Sequence, residues 1–377
     1  MSHADVSDSD DNDLELIFDR SLTEDEFDDV TTSESAAPTP VTFSTQDYPV
    51  DGLVKRLNSG AMKVPQFGGE DSTSLTAGFQ RGFVWSKAQM DRFIESLLLG
   101  YPVPGIFLVK QETDNVMLVL DGQQRLETLR RFYEGVHDKK EFVLTNVSDQ
   151  FKGLTYKTLD ESLGLKIDDS FMQATIVPTD GSSEVSEAVF QIFERLNSGG
   201  TQLTPHEIRV ALYAGPLVDC IEVFNNDPNW RDLFGIKSKR IRDHELITRI
   251  LALYVDSASY KRPLKGFLNN FARDYRQESD VHGAEFLAAC RHINSTAGPS
   301  AFRSREGRQV NTAQAEAIVV GVMRAVANGA VPEDLRSKIQ SLKDDAEFIT
   351  VTTRSTADNE FVVKRLDLAT DRLSRSV

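Results

Sequence analysis

Asp121-Gly122-Gln123-Gln124-Arg125 is the stretch of this chain best equipped for chemistry, because it lies where the apolar run Val116-Met117-Leu118-Val119-Leu120 gives way to an amphipathic pattern. A helix that starts there leaves its first N–H groups unpaired and presents the positive end of its peptide dipoles, so an anion is stabilised before any side chain acts. Arg125 adds a guanidinium that can grip phosphate through two donors. Gly122 permits a sharp turn and close approach, and Asp121 offers a carboxylate for a divalent cation or a water. An ordinary turn has the same signature, since Asp-Gly is a common turn pair, Asp a common cap, and Arg125 one more solvated helix charge.

Two other sets could serve the same chemistry. In Asn197-Ser198-Gly199-Gly200, the flexible glycines can wrap a phosphate or let Asn197 reach a metal, although a plain helix–helix linker explains them as well. The helix that follows is strongly specified, with Thr204 as cap, Pro205 at the first position and Glu207 at the third. Arg81 sits among Phe79, Phe83, Val84 and Trp85, which holds its charge near apolar surface and calls for an anionic partner. A ligand phosphate, Asp121 or another internal acid would each satisfy it. Trp85 reads as a core anchor.

The elements that must position these residues follow from periodicity. A short helix is predicted from Pro49 to Asn58, and an extended piece from Lys63 to Phe67. Ser86 and Gln89 form a capping box ahead of a helix with Met90, Phe93, Ile94, Leu97 and Leu98 on one face and Gly100 as its stop. Residues 105–110 and 116–120 predict a buried hairpin, and the helix after it turns Leu126, Leu129, Phe132 and Tyr133 inward. A strand from Phe171 to Val177 and a helix from Ser183 to Leu196 complete an α+β region. Beyond Thr204 the pattern is helical, with candidates at 243–255, 261–277, 283–294, 312–328, 332–345 and 357–374. The predicted fold is therefore a small mixed-sheet α+β domain, residues 48–200, followed by an all-helical domain, residues 201–377.

Charge is distributed unevenly. Residues 1–47 carry fourteen acids against Arg20 alone, a net of −13 out of −16 for the chain. Such a segment buries too little apolar surface to offset ordering and reads as a disordered acidic tail. It either solubilises or, through Leu14, Leu16, Ile17, Phe18 and Phe27, docks a partner or mimics nucleic acid. The remaining residues are nearly balanced, so no sequence-independent grip on nucleic acid is implied. Lys237, Lys239, Arg240 and Arg242 form a local basic run. No apolar run is long enough to span a membrane, and without a secretory signature the cytoplasm is the expected compartment. Cys220 and Cys290 lack metal spacing and read as reduced core thiols.

Together, Phe79-Gln80-Arg81-Gly82-Phe83-Val84-Trp85, the Asp121–Arg125 motif and the stretch from Phe193 to Glu207 resemble the amino-terminal domain of GmrSD-type restriction proteins. That family is similar in turn to the ParB and sulfiredoxin superfamily. The resemblance implies a ParB-like fold that binds or hydrolyses nucleotides and a DGQQR motif associated with nucleoside triphosphate hydrolysis in phage-defence systems sensing modified DNA; a non-hydrolysing nucleotide- or DNA-binding module working with a partner effector, or a metal-dependent DNA nuclease using the same site, is the alternative. It carries Asp121, Gln123, Gln124 and Arg125 over as the catalytic and phosphate-binding set; Arg81, Gly122, Gly199 and Gly200, candidates by residue type, are expected around the nucleotide. Asn197 matches the asparagine placed near a metal-bound triphosphate, so Asp121 and Asn197 are the expected ligands of Mg²⁺. Nucleotide, DNA and a separate nuclease effector are the implied partners, and an oligomer is compatible with them. No paired His and Asn of a His-Asn-His nuclease follows residue 260, and no cysteine occupies the motif, so neither nuclease chemistry of that type nor sulfiredoxin chemistry is expected.

Overall fold

The computed structural model describes residues 40–64, 85–111, 116–179, 182–196, 204–238, 240–303 and 309–374. Two compact units divide the chain at 203/204.

The first unit is built on a five-stranded mixed sheet of order β1-β7-β3-β4-β2. β1 (Ser44–Pro49) leads directly into α1 (Val50–Asn58), and the two-residue β2 (Met62–Lys63) precedes α2 (Lys87–Leu99). β3 (Ile106–Gln111) and β4 (Met117–Asp121) form the predicted hairpin, which feeds α3 (Gln123–Glu134). A small separate ribbon, β5 (Val136–His137) and β6 (Lys140–Glu141), comes before α4 (Glu161–Asp168). β7 (Phe171–Thr179) and α5 (Ser183–Leu196) close the unit. β7 runs antiparallel to β1 and parallel to β3, while β4 runs antiparallel to β3 and parallel to β2.

Local sequence explains most of these boundaries. The capping box at Ser86 and Gln89 is present, and Gly100 ends α2 in a left-handed conformation, φ 77°. Leu53, Ile94, Leu97, Leu126, Leu129 and Phe132 from the helices meet Ile106, Leu108, Val119, Met172 and Ala174 of the sheet in one core. The sheet starts at Ser44 rather than Tyr48, inside the segment read as acidic tail. Ser44 to Asp47 are exposed and polar, so no alternation betrays the strand; pairing with β7 makes it one.

The second unit is helical: α6 (Pro205–Leu212), α7 (Pro216–Asn225), α8 (Pro228–Phe234), α9 (Arg242–Asp256), α10 (Leu264–Asp274), α11 (Gly283–Thr296), α12 (Thr312–Ala327), α13 (Leu335–Lys343), α14 (Ala346–Thr353) and α15 (Asn359–Leu373). α12 is buried nearly all round and forms the axis of this unit. Its Gly321 lets α15 approach so closely that a Cβ would stand 3.0 Å from the Ala369 carbonyl. Trp230, fully buried, packs against Phe234, Phe286 and Phe302. Cys220 and Cys290 are buried free thiols, and burial pushes both above their ordinary pKa. No described helix is long and apolar enough to cross a membrane.

Candidate functional site

Asp121 ends β4 just after an irregularity in the hairpin. Phe107 pairs with Asp121 but Leu108 with Val119, so Leu120 is the extra residue of a β-bulge. Bulges re-aim the side chain that follows them, and here that side chain is the first of the motif. Gly122 then takes φ 97°, ψ 7° at the N-cap of α3, where no side chain caps the helix. Its backbone conformation is left-handed, and a Cβ on it would lie 2.3 Å from Ile106 Cγ2. Only glycine fits on both counts.

The turn folds Arg125 back toward the sheet. One guanidinium nitrogen donates to Asp121 Oδ2 at 2.7 Å and to the Gly105 carbonyl at 2.9 Å. The Arg125 side chain is only 15% exposed, whereas Asp121 is 50% exposed. Nε of Arg125 is buried and meets no acceptor among the described residues. A guanidinium with an unused donor and a partly solvated partner is a grip that can still take an anion. Asp121 Oδ1 accepts no hydrogen bond from a described residue.

The glutamines behave differently. Gln124 Oε1 accepts the backbone N–H of Trp85 at 3.1 Å, and Thr128 Oγ1 donates to the Gln124 carbonyl at 2.7 Å. Gln123, half-buried, makes no side-chain hydrogen bond with a described residue. Trp85 is half-buried with its ring edge-on to Phe93, 5.6 Å between centroids.

Arg81, Asn197, Gly199 and Gly200 lie outside the described residues. Among the described residues no group of three or more His, Cys, Asp or Glu is placed to hold a metal ion. What the turn offers a cation is one open carboxylate. That fits Mg²⁺, which keeps several waters and takes one or two carboxylates together with substrate phosphates.

In the second constellation, Thr204, Pro205 and Glu207 start α6 as the sequence predicts, with both hydrogen bonds of the capping box in place. Glu207 is also gripped by Arg240, Nε to Oε1 at 3.0 Å and Nη2 to Oε2 at 2.7 Å. Lys237 pairs with Glu222 at 3.0 Å, and Arg242 is buried. The basic run is thus bound up with acids and core at these three positions; Lys239 lies outside the described residues.

Sequence reasoning missed two polar clusters within the helical unit. His206 Nε2 lies 2.8 Å from His244 Nδ1, and Arg209 reaches His206 Nδ1 at 3.0 Å and Asn269 at 2.9 Å. Arg209 can only donate, so His206 Nδ1 accepts and its Nε2–H donates to His244. Burial, reinforced by its charged and imidazole neighbours, pushes His206 well below the usual imidazole pKa, and burial brings His244 down to about 4. Elsewhere Glu316 accepts from Arg249 Nε and Arg365 Nε, each at 2.9 Å, with all three side chains buried. A lone glutamate within the Ala- and Val-rich α12 was the signal available for this cluster.

These observations describe an α+β domain whose best-equipped turn opens a helix at the end of a sheet strand, with arginine and carboxylate side by side. Residues 67–214 match the family described as GmrSD restriction endonuclease, N-terminal domain. That stretch, which is less than half of the chain, is a domain of this family. No curated protein and no solved structure gives a significant match to the chain.

Proposed function

We propose that the Asp121–Arg125 turn binds the phosphates of a nucleoside triphosphate and that the chain is a Mg²⁺-dependent triphosphatase or nucleotide-gated switch of a DNA restriction or phage-defence system, acting in the cytoplasm. The observation that supports this best is Arg125: nearly buried, its Nε without an acceptor among the described residues, and its one side-chain partner an exposed carboxylate able to leave. Family membership of residues 67–214 supports the restriction setting.

In this reading the two paired side chains change partners. Asp121 and Asn197 would hold the cation, and Arg125 would pass to the phosphates, joined by Arg81 and the amides after Gly122. A bound Mg²⁺ would neutralise phosphate charge. A glutamine orients water; the water oxygen bonds to the terminal phosphorus as the bond to the bridging oxygen breaks, releasing phosphate, nucleoside diphosphate and a proton. Phosphoryl transfer depends chiefly on such positioning and charge stabilisation, so no side-chain nucleophile is required. The Asp121–Arg125 pair also favours a second reading, in which binding alone breaks the pair and a partner nuclease acts.

Phosphate release with each ribonucleoside triphosphate, with and without magnesium and DNA, separates the two. Triphosphatase action predicts magnesium-dependent release that falls at least about 100-fold in Arg125→Ala. Binding without release points to the switch, and neither binding nor release removes the proposal.

A further inference from the structure

We infer that the two glutamines of the turn divide the work: Gln124 is a positioning residue that locks the start of α2 to the start of α3, and Gln123 is the side chain that faces the ligand. The role of Gln123 rests on the nucleotide reading above; the lock does not.

Trp85 stands immediately before the N-cap Ser86, so its N–H lies ahead of the helix and has no place in the α2 ladder. Its acceptor comes instead from 39 positions along the chain, the Gln124 side chain at 3.1 Å. The same residue is held on its ring side by Phe93 of α2. Trp85 is therefore tied by its ring to one helix and by its amide to the other. Removing the acceptor would leave a part-buried amide without a partner, which destabilises the junction more than the loss of an exposed hydrogen bond would.

The rest of the motif is accounted for in the same way. Asp121 and Arg125 hold each other, and the oxygen of Gln124 is taken by Trp85. Gln123 occupies the first position of α3 with its amide group uncommitted among the described residues. A carboxamide has both an acceptor and donors, so at this position it can accept from a water while donating to a phosphate oxygen. Those are the two contacts that water orientation beside a phosphate needs.

The test uses the full chain and the variants Gln123→Ala, Gln124→Ala and Gln124→Glu. Acrylamide quenching of tryptophan emission reports on Trp85, because the second tryptophan, Trp230, is fully buried. Gln124→Ala is expected to increase quenching, and Gln124→Glu, which keeps an acceptor oxygen at the same reach, to restore it. Gln123→Ala should leave quenching unchanged. With the four ribonucleoside triphosphates and magnesium, Gln123→Ala should lower kcat about 100-fold at constant KM, whereas Gln124→Ala should mainly raise KM. Unchanged quenching in Gln124→Ala would overturn the lock. Equal kcat losses in the two alanine variants would overturn the division of roles. A wild-type chain that neither binds nor hydrolyses any nucleotide would remove the role of Gln123, with quenching alone then deciding the lock.

Discussion

In the helical unit Glu316 is wholly buried between Arg249 and Arg365, and both carboxylate oxygens are taken up by guanidinium donors. In the sheet unit Asp121 meets Arg125 with half of its side chain exposed and one oxygen that accepts nothing from a described residue. The chemical groups are alike and their freedom is opposite. A buried carboxylate cannot leave its guanidinium partners without stranding charge in a low-dielectric interior. An exposed one can exchange its guanidinium for a cation or water at little cost. Pairing alone therefore does not distinguish the arginines of the two units; the solvent access of the carboxylate partner does.

The largest effect expected from this contrast is in the buried cluster. Glu316→Ala strands two buried arginines and should cost the helical unit about 3–5 kcal/mol, read by denaturant unfolding. A loss below about 1 kcal/mol would mean that the cluster is not a fixed element of the core. Next comes Gly122→Ala, which forces a side chain into left-handed backbone and onto Ile106. Together these should destabilise the sheet unit by about 2–4 kcal/mol in the same measurement, with the helical unit unaffected.

Acid should separate the units by a smaller margin. His206 and His244 are held neutral below the ordinary imidazole pKa, so the unfolded chain takes up protons first as pH falls. Their contribution is complete above about pH 6.5 and is lost from there down toward about 4. In the sheet unit, burial alone would raise the Asp91 carboxyl, but the Lys87 ion pair and donors from Thr145 and Asn146 outweigh it and hold it below its ordinary value. That contribution is present above about pH 4 and is lost only as pH falls further. Hydrogen exchange at pH 7 and pH 5 should show the helical unit loosening alone; equal loosening of both units would contradict the assignment. The smallest effect is Asp121→Asn, within about 1 kcal/mol of wild-type stability, because the pair is largely solvated. A larger loss on thermal unfolding would place Asp121 with Glu316 as a structural acid.

What the sequence made legible was local. The capping boxes at Ser86 and Thr204, the hairpin ahead of the motif and the helix after it all depend on residues within a few positions of one another. α7 and α8 escaped notice because they are short and each starts at a proline, which reads first as a break. α4 and α14 are eight residues each and too short for a convincing period. At the site, residue types could nominate Asp121 and Arg125, but not the engagement of Gln124 by Trp85, since nothing local connects positions 39 apart. The histidine pair was hidden for the same reason: His206 and His244 sit on different helices, and each looks ordinary in its own.

The extra residue at Leu120 gives the spacing of the motif a mechanical meaning. Alternate residues of a strand point to opposite faces, so a regular ladder that took Leu120 in as the partner of Phe107 would move Asp121 one step on, to the face of Val119, with every residue of the pentapeptide retained. Matching the five letters is therefore not sufficient for a working copy of this turn; a relative must also keep the phase of the strand that delivers them.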